Sequence, residues 1–393
     1  MKTIFAHDHR FYRSADGKEI LSKNAFDSSL WERYLEHTDE LEVIARIFSF
    51  PEDAKRVEMT TSNHSQVTFQ HIKETHTWKN IFPVNRAQKQ IEQRVAKADA
   101  VIARLPSRIG SMAIKAAKKQ GKHYMVEVVG DPMESYRHHG SKVLKYMATH
   151  AGGKMRKDVA EATHVLYVTQ KDLQRKYPTC GERAAASNVE IESIDLEVYE
   201  KRKRKIKIQD VSKTVQIGMI GTLTTDYKGI DTAMDAIGKL KQQNRDVTLY
   251  ILGPGDASKW LHYAEKVGVT ENSVFCGILP SGKAIFDWID KMDIYIQPSK
   301  TEGVPRALIE AMSRGCPAVG SSAGGIPELL SPNMIHMIGD SADLARKIDS
   351  LIVSRSKQLQ EARKNLQTAA KYTKPILQKQ RADLYHSFFK TLQ

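Results

Sequence analysis

The sequence predicts an α/β protein of two domains, each built on a parallel β-sheet. Short apolar runs alternate with longer segments of helical periodicity along most of the chain, a pattern typical of parallel sheets covered by helices. The length of 393 residues fits two domains at about 150 residues each. A strongly charged stretch, KRKRKIK at 201–207, separates the two halves. We therefore predict a first domain over residues 1–200, a linker over 201–213 and a second domain over 214–373.

In the first half, apolar runs define the strands, and the helices lie between them. The expected strands are Thr3–Ala6, Leu41–Phe50, Asp99–Arg104, Tyr124–Val129, Thr163–Thr169 and Asn188–Ile191. The expected helices are Ser28–Leu35, Arg86–Ala98, Ile109–Gln120, Ser141–Glu161 and Lys171–Tyr177. Asp16 and Gly17 mark a turn after the first strand.

The second half repeats this alternation, and helices are again expected between its strands. The expected strands are Val215–Gly221, Val247–Gly253, Ser273–Gly277, Asp293–Pro298, Cys316–Gly320 and Met334–Ile338. A polar helix is expected near residues 356–371 and a last helix within residues 374–393.

Composition narrows the class of partner. The net charge of +14 and the pI of about 9.4 predict an anionic partner, such as a nucleotide, a phospholipid surface or nucleic acid. Cys180, Cys276 and Cys316 show no metal-ligand spacing and predict free thiols in a reducing compartment. No apolar run approaches the roughly 20 residues of a membrane span, and the N-terminus MKTIFAHDHRF lacks a secretory pattern. We expect a cytoplasmic protein.

The stretch TEGVPRALIEAMSRG at 301–315 organises the second half. It follows a predicted strand, and Pro305 opens a helix, so Glu302 is expected in the strand-to-helix turn and Glu310 in the helix. Such a turn directs free backbone N–H groups and partial positive charge towards a ligand. A phosphate suits that position, and the two carboxylates can accept hydrogen bonds from sugar or ribose hydroxyls. A solvated helix start is the plain alternative for the pair.

A second phosphate-binding element is predicted at the end of the strand Val215–Gly221. Gly221 and Thr222 form the turn, and Lys228 precedes Gly229 just before the next helix. A glycine turn that opens a helix, with a lysine at its mouth, suits a diphosphate. A surface lysine in a connecting loop is the alternative that composition alone favours.

Together these motifs resemble glycosyltransferase family 4, whose members are retaining enzymes of the GT-B fold. The resemblance rests on QPSKTEG at 297–303, the Glu-x7-Glu pair in EGVPRALIEAMSRG, AGGIPELL at 323–330 and MIGTLTTDYKGIDTAMDAI at 219–237. It implies two Rossmann-like domains whose parallel sheets face each other across a cleft. It also implies that the helix at 374–393 crosses back to the first domain. The expected activity is the transfer of a sugar from a nucleotide-diphosphate sugar to a hydroxyl of a glycan or lipid-linked acceptor, as in bacterial cell-surface polysaccharide synthesis.

The resemblance also implies roles for residues of the donor site, with a UDP-sugar as the expected donor. Glu302 matches the family glutamate that reaches the sugar near its reacting carbon, and Glu310 matches the one that holds the ribose. Lys228 matches the phosphate-binding lysine and counts with Glu302 as catalytic. Thr222 stands where the family often has an arginine, so Arg306 is a candidate for the second phosphate charge, and a solvent-facing arginine is the alternative. The remaining donor-binding residues implied are Gly221, Gly277, Ile278, Leu279, Gly303, Val304 and Pro305.

No metal or other cofactor is expected. The chain contains no Asp-x-Asp triplet, which would mark a metal bound through donor phosphates. Lys228 and helix amides are expected to neutralise the leaving diphosphate instead.

The acceptor side is expected in the first domain. The histidine that many family members carry after the strand Tyr124–Val129 is absent from the sequence EVVGDP. Asp131 is therefore a candidate catalytic group there. The other candidates for acceptor binding lie near the same predicted sheet edge or in the loop after the first strand: His7, His9, Arg10, Asp16, Gly17, Glu127 and His138. A satisfied loop residue is the alternative for each of them.

The sequence is also compatible with two other functions. A non-hydrolysing nucleotide-sugar epimerase shares the architecture, and a nucleic-acid-binding protein would fit the charge, although no aromatic platform or recognition motif supports it.

Basic stretches at 115–122, 142–157 and 201–207 are solvated faces by default. The stretch 142–157, in which apolar residues are interleaved, also suggests docking on an anionic membrane surface. A peripheral location at the inner face of the cell membrane is therefore a further expectation.

Overall fold

The computed structural model describes residues 1–23, 26–50, 59–72, 81–133, 142–189, 191–208 and 214–393. The chain folds into two compact units. Unit 1 comprises Met1–Val168, Leu173–Ala186 and Lys379–Gln393, and unit 2 comprises Thr169–Asp172 and Ser187–Gln378. The last helix therefore has its first residues in unit 2 and its remainder in unit 1.

Unit 1 is built around one nine-stranded sheet of mixed direction. Its strands are β1 (Lys2–Arg13), β2 (Ile20–Lys23), β3 (Glu40–Ser49), β4 (Met59–Thr61), β5 (Val67–His71), β6 (Ala100–Leu105), β7 (His123–Val128), β8 (His164–Tyr167) and β9 (Glu182–Ala185). Strand β1 pairs in parallel with β3 along one side. On its other side it pairs with β6 in its first half and antiparallel with β2 in its last residues. The remaining parallel pairs extend the sheet through β7, β8 and β9.

The helices of unit 1 are α1 (Glu32–Leu35), α2 (Ile81–Val95), α3 (Arg108–Lys119), α4 (Lys142–Ala160), α5 (Asp172–Lys176) and, from the C-terminal end, α13 (Lys374–Lys390). Residues of α2, α3, α4 and α5 form an apolar core with the sheet. Asp27 caps the short 3₁₀ turn Ser28–Trp31 that leads into α1, and Ser107 caps α3 by accepting from the Gly110 amide. Each cap satisfies a backbone N–H that the first helical turn leaves unpaired.

The structure corrects several predicted elements of the first half. Strand β1 continues to Arg13, so His7–Arg10 lie within it, where a shift in register between Ala6 and Arg10 marks an irregularity. The antiparallel strands β2 and β4 and the parallel strand β5 were not predicted, because their apolar runs are short and interrupted by polar residues. A strand predicted at Asn188–Ile191 is wrong: β9 lies at Glu182–Ala185, and Ile191 makes only an isolated bridge to Thr373.

Unit 2 holds a wholly parallel six-stranded sheet in the order β12-β11-β10-β13-β14-β15. The strands are β10 (Val215–Ile220), β11 (Val247–Leu252), β12 (Ser273–Phe275), β13 (Ile294–Gln297), β14 (Ala318–Ser321) and β15 (Ile335–His336). The helices are α6 (Leu196–Ile208), α7 (Ile230–Gln242), α8 (Ser258–Lys266), α9 (Lys283–Lys291), α10 (Arg306–Ser313), α11 (Ser341–Ile352) and α12 (Arg355–Ala369). Strands β10 and β13 are neighbours, so the turns that follow them lie side by side at the carboxyl edge.

The charged run predicted as a linker is partly helical. Residues 201–208 belong to α6, and residues 209–213 lie outside the described part of the chain. The Arg202 side chain is buried in unit 2 and donates hydrogen bonds to the backbone oxygens of Ile289, Met292 and Arg314. These hydrogen bonds could not be foreseen from the sequence, where six basic residues in seven suggested a solvated segment. Across the described residues, no helix combines the length and apolarity needed to cross a membrane.

Candidate active site

The two predicted motifs of unit 2 meet at an ion pair. Lys228 Nζ lies 2.5 Å from Glu302 Oε1, although 74 residues separate them in sequence. Both side chains are largely buried, with 26% of Lys228 and 10% of Glu302 exposed. Because Lys228 follows β10 and Glu302 follows β13, the adjacency of these two strands brings the pair together.

Two glycines shape the lysine side of this pair. The Lys228 side chain lies directly on Gly221, where an added Cβ would stand 2.6 Å from Lys228 Cγ. Gly229 has φ of +70° and approaches the Pro298 carbonyl oxygen so closely that a Cβ would lie 2.1 Å from it. Only glycine fits both positions without displacing its neighbours. Close packing therefore requires glycine at both ends of the loop that carries Lys228.

Glu302 is held by more than the lysine. Its Oε1 atom also accepts hydrogen bonds from Ser299 Oγ at 2.8 Å and from Gln297 Nε2 at 3.2 Å. Both residues belong to the motif QPSKTEG, but the sequence assigned them no role. The signal available was their spacing: residues 295, 297 and 299 alternate along an extended segment and so face the same side.

The predicted donor residues around Glu302 occupy the turn before α10. Pro305 is the N-cap of that helix, so the helix begins at Arg306, one residue later than predicted. Gly303 and Val304 are half-buried in the turn, whereas Arg306 is exposed and has no ion-pair partner within the described residues. Glu310 lies one helical turn further on and is half-buried. Burial raises the pKa of the Tyr295 phenol well above its usual value, and the negative charges of Glu310 and Glu302 raise it further.

The other predicted donor residues lie along the same edge of the sheet. The Gly253 amide, which follows β11, donates to the Gly277 carbonyl at 2.7 Å, and a Cβ on Gly253 would reach the Gly221 carbonyl. The turns after β10, β11 and β12 are thereby packed in one row. Ile278 presents 58% of its surface to solvent next to this row, and Leu279 is half-buried. The Thr222 hydroxyl donates to the Pro254 carbonyl at 3.1 Å.

In unit 1, the structure places Glu127 in the core. Only 3% of its surface is exposed. Its Oε1 accepts from the hydroxyls of Tyr34 and Tyr385 at 2.9 and 2.6 Å, and Oε2 pairs with Arg104 at 3.2 Å. Burial, followed by the charge of Glu127, raises the pKa of Tyr34. A carboxylate with both oxygens occupied and almost no exposure stabilises the interior, so the expectation that Glu127 binds acceptor does not fit its position.

Asp131 lies at the carboxyl end of β7, as expected, but its oxygens are engaged. Oδ1 accepts from the Tyr177 hydroxyl at 2.6 Å and from the Met133 amide at 2.9 Å, and Oδ2 lies 3.4 Å from Lys176 Nζ. The side chain is 7% exposed. These contacts match the alternative of a satisfied loop residue, and the role of Asp131 as a base stays a prediction. His138 lies outside the described residues.

The residues His7 to Arg10 do not form a loop, because they belong to β1. His9 Nε2 lies 2.8 Å from Ser22 Oγ, and His7 Nδ1 accepts from the His9 amide. Burial, reinforced by Arg104 and Arg46, lowers the pKa of His9 to about 4, and burial likewise lowers that of His7. Arg10 is exposed and lies over the Phe48 ring.

Two other acidic residues of this region have structural positions. The Asp8 carboxylate accepts from the amides of Arg108 and Ile109 at the start of α3. Asp16 and Gly17 form the hairpin turn between β1 and β2, in which Asp16 accepts from the Lys18 amide. This turn is exposed. Its position at the far end of β1 separates it from His7 along the strand.

Comparison with known proteins identifies the chain. A family model described as "Glycosyl transferases group 1" matches residues 214–354. Protein CapJ of Staphylococcus aureus is 30% identical over 371 residues, which cover 93% of this chain and 91% of CapJ. The chain belongs to the group 1 glycosyltransferases. The amylovoran biosynthesis glycosyltransferase AmsK of Erwinia amylovora is 34% identical to this glycosyltransferase over 152 residues, 37% of each chain.

Solved structures show the fold of this glycosyltransferase. Sucrose-phosphate synthase from Thermosynechococcus elongatus superposes with a TM-score of 0.69 over 99% of both chains at 12% identity. Anabaena HepE, solved in complex with UDP-glucose, superposes with a TM-score of 0.63 at 17% identity, covering 98% of this chain and 100% of HepE. The fold is GT-B, as the sequence predicted.

Proposed function

We propose that this glycosyltransferase transfers a sugar from a UDP-sugar to a hydroxyl of a glycan or lipid-linked acceptor, with retention of configuration. The observation that carries the proposal is the convergence of Lys228 and Glu302 at the carboxyl edge of the unit 2 sheet. A cation and an anion that emerge from neighbouring turns can serve the two parts of one donor. The cation binds the diphosphate, and the carboxylate accepts hydrogen bonds from the sugar.

Lys228 supplies positive charge where the leaving diphosphate accumulates negative charge. Its side chain is only partly exposed, so an ion pair with phosphate is screened less than at the surface. The amides at the start of α10 add their partial charge at the same edge. Lys228 and these amides are the groups that we propose for the task, with no metal ion required.

Glu310 accepts hydrogen bonds from the ribose hydroxyls in this proposal. It lies on the first turns of α10, half-buried and close enough to the sheet to influence the pKa of Tyr295. The row of turns that contains Gly277 and Ile278 then offers backbone groups and one apolar side chain to the base. HepE, a similar GT-B structure, was solved with UDP-glucose, which supports uracil as the base.

For the transfer step we propose attack on the face that the leaving group vacates. The bond between the anomeric carbon and the β-phosphate oxygen breaks, and the acceptor oxygen bonds to the same face of that carbon. The acceptor proton passes to the leaving phosphate oxygen, so charge and atoms balance without a separate base. The hydrogen bonds that already occupy Asp131 are consistent with a reaction that does not depend on it.

The acceptor belongs to bacterial surface polysaccharide synthesis in this proposal. AmsK, a relative over part of the chain, is named for the biosynthesis of amylovoran. Unit 1 offers a basic helix, α4, on which Lys154, Arg156 and Lys157 are exposed and Tyr146 shows 76% of its surface. Each such charge adds about 1 kcal/mol of attraction to an anionic bilayer. We propose that this helix contacts the membrane from which a lipid-linked acceptor is presented.

A donor screen tests the assignment. Purified enzyme is incubated with UDP-, GDP- and ADP-sugars, and nucleoside diphosphate release is measured with and without a lipid-linked glycan. We expect release from a UDP-sugar, and NMR of the product should show an anomeric configuration equal to that of the donor. Release from a GDP- or ADP-sugar alone would overturn the assignment of uracil as the base. A product of inverted configuration would overturn the proposed stereochemistry. An epimerised nucleotide sugar would overturn the assignment as a transferase.

A further inference from the structure

A buried chain of polar side chains lies behind Glu302. Tyr295, Gln297 and Ser299 occupy alternate positions on β13 and the residues after it, and none is more than 1% exposed. The Ile220 amide donates to the Tyr295 hydroxyl at 3.3 Å, and this hydroxyl donates to Gln297 Oε1 at 3.0 Å. These hydrogen-bonded side chains therefore link the end of β10, next to Gly221, with the end of β13. Polar groups so deeply buried are stable only when each finds a partner.

The direction of these hydrogen bonds fixes the orientation of the Gln297 amide. Its oxygen must face Tyr295, because the Tyr295 oxygen already accepts from Ile220 and has its own proton to donate. Its nitrogen must then face Ser299 Oγ at 2.8 Å and Glu302 Oε1 at 3.2 Å. A rotated amide would place its NH₂ beside the proton that the tyrosine donates and its oxygen beside a carboxylate. The site therefore defines one orientation.

The two oxygens of Glu302 have different environments. Oε1 accepts from Lys228, Ser299 and Gln297, whereas Oε2 has no hydrogen-bond partner in the described part of the chain. A carboxylate that is anchored through one oxygen presents the other in a fixed direction. The fixed oxygen costs no reorganisation when a ligand arrives, which is how preorganised groups aid a reaction.

We propose that Gln297 is a positioning residue for the transfer reaction. Together with Ser299 it holds Oε1, so that Oε2 is turned towards the donor sugar. The inference rests on the proposed function, because it concerns the same donor site. In the proposed function Lys228 must also bind the diphosphate, whereas the Gln297 amide is held through both its oxygen and its nitrogen by buried neighbours.

The test replaces Gln297 by methionine, which has a similar volume and no amide. We expect kcat for sugar transfer to fall by about 10- to 100-fold, the value expected for one lost hydrogen bond to a charged group. KM for the UDP-sugar and Kd for UDP measured by calorimetry should change by no more than about 3-fold, because the diphosphate and ribose contacts remain. Gln297→Glu, which puts a second carboxylate beside Glu302, should reduce kcat further.

Gln358→Met is the matched control. Gln358 is another buried glutamine of unit 2, 2% exposed, and its amide donates to the Leu351 carbonyl at 2.8 Å, in contact with helix α11 rather than with the donor edge. The control should lower the melting temperature without lowering kcat. Equal kcat losses in both variants, or a loss in Gln297→Met that appears in Kd for UDP and not in kcat, would overturn the positioning role.

A crystal structure of the Gln297→Met variant separates this inference from the proposed function. We expect the Glu302 carboxylate to leave the position 2.8 Å from Ser299 Oγ that it has here. An unmoved carboxylate would refute positioning even if the enzyme proves inactive on every UDP-sugar. Conversely, a wild-type enzyme without transferase activity would overturn the proposed function and leave this structural readout valid.

Discussion

Gly324 lies against the backbone of Glu302. A Cβ on Gly324 would stand 1.7 Å from the Glu302 carbonyl oxygen, and the next residue, Gly325, donates its amide to the Gly303 carbonyl at 2.7 Å. The glycine pair that follows β14 therefore packs against the backbone of the turn that carries Glu302 and supports that turn. A 3₁₀ turn, Ile326–Glu328, follows this pair.

Gly324→Ala should displace the Glu302 turn. We expect at least about 2 kcal/mol of lost stability, since the added methyl meets backbone at a left-handed position, and turnover should be lost in parallel. Gly268→Ala is the control: Gly268 has a similar positive φ of +73° but open space around it, so about 1 kcal/mol is expected with normal turnover. Thermal melts and transfer assays compare the two; equal effects would argue against a support role for Gly324.

Lys228→Ala should reduce turnover by orders of magnitude. The variant removes the positive charge opposite the leaving diphosphate, and removal of one such stabilising group costs about 10²- to 10³-fold in kcat. Lys259→Ala removes a nearby exposed lysine that pairs with Asp226 and should change kcat by less than about 2-fold. Initial rates at saturating donor compare kcat of the two variants with that of the wild type. A normal rate in Lys228→Ala would remove this residue from the mechanism.

Glu310→Ala should weaken nucleotide binding. Loss of hydrogen bonds between a carboxylate and the ribose predicts a rise in Kd for UDP of about 10- to 100-fold. Glu265→Ala, on the exposed face of α8, has the same charge change away from the donor edge and should leave Kd unaltered. Calorimetric titration with UDP distinguishes them, and an unchanged Kd for Glu310→Ala would exclude the ribose role.

Glu127→Ala should act on stability rather than on acceptor binding. The variant leaves the Arg104 guanidinium without its carboxylate partner and the hydroxyls of Tyr34 and Tyr385 without their acceptor. Removal of one partner of a buried ion pair costs about 3 to 5 kcal/mol of stability. Glu127→Gln keeps a carbonyl oxygen and should lose less. Chemical denaturation measures both, while KM for the acceptor in the folded Gln variant should stay close to wild type. A raised KM with intact stability would restore the sequence-based interpretation.

The His9 environment predicts a pH dependence of stability. The pKa of His9 is lowered from 6.5 to about 4, so between these values the unfolded chain binds a proton that the folded chain does not. Stability should therefore decrease as the pH falls from about 6.5 to about 4, with His7 contributing in the same direction. His9→Gln should have a shallower decrease over this window in denaturation experiments. A slope identical to wild type would show that His9 does not titrate as its burial implies.

The sequence predicted most of unit 2 because its strands are short and apolar, with most of their residues buried, and because glycines and prolines mark their ends. The Lys-Gly loop and Glu302 were each correctly placed after a strand for the same reason, whereas the pairing of β10 with β13 that makes these turns neighbours was not predicted. Unit 1 was harder to predict. Its sheet contains the short antiparallel strands β2 and β4. The long strand β1 carries polar residues in mid-strand, so the apolar run that predicts a strand ends well before β1 does.

The amino-acid sequence alone predicted a glycosyltransferase with the GT-B fold, the alternation of strands and helices and the two motifs at strand ends, because these depend on local periodicity and on residues close together in the chain. Only the tertiary structure decided which oxygen of Glu302 is anchored, that Glu127 is enclosed by Tyr34, Tyr385 and Arg104, and that Asp8 caps α3. Those outcomes depend on contacts between residues far apart in sequence. A carboxylate at a predicted strand end looks the same whether it faces a ligand or a buried tyrosine.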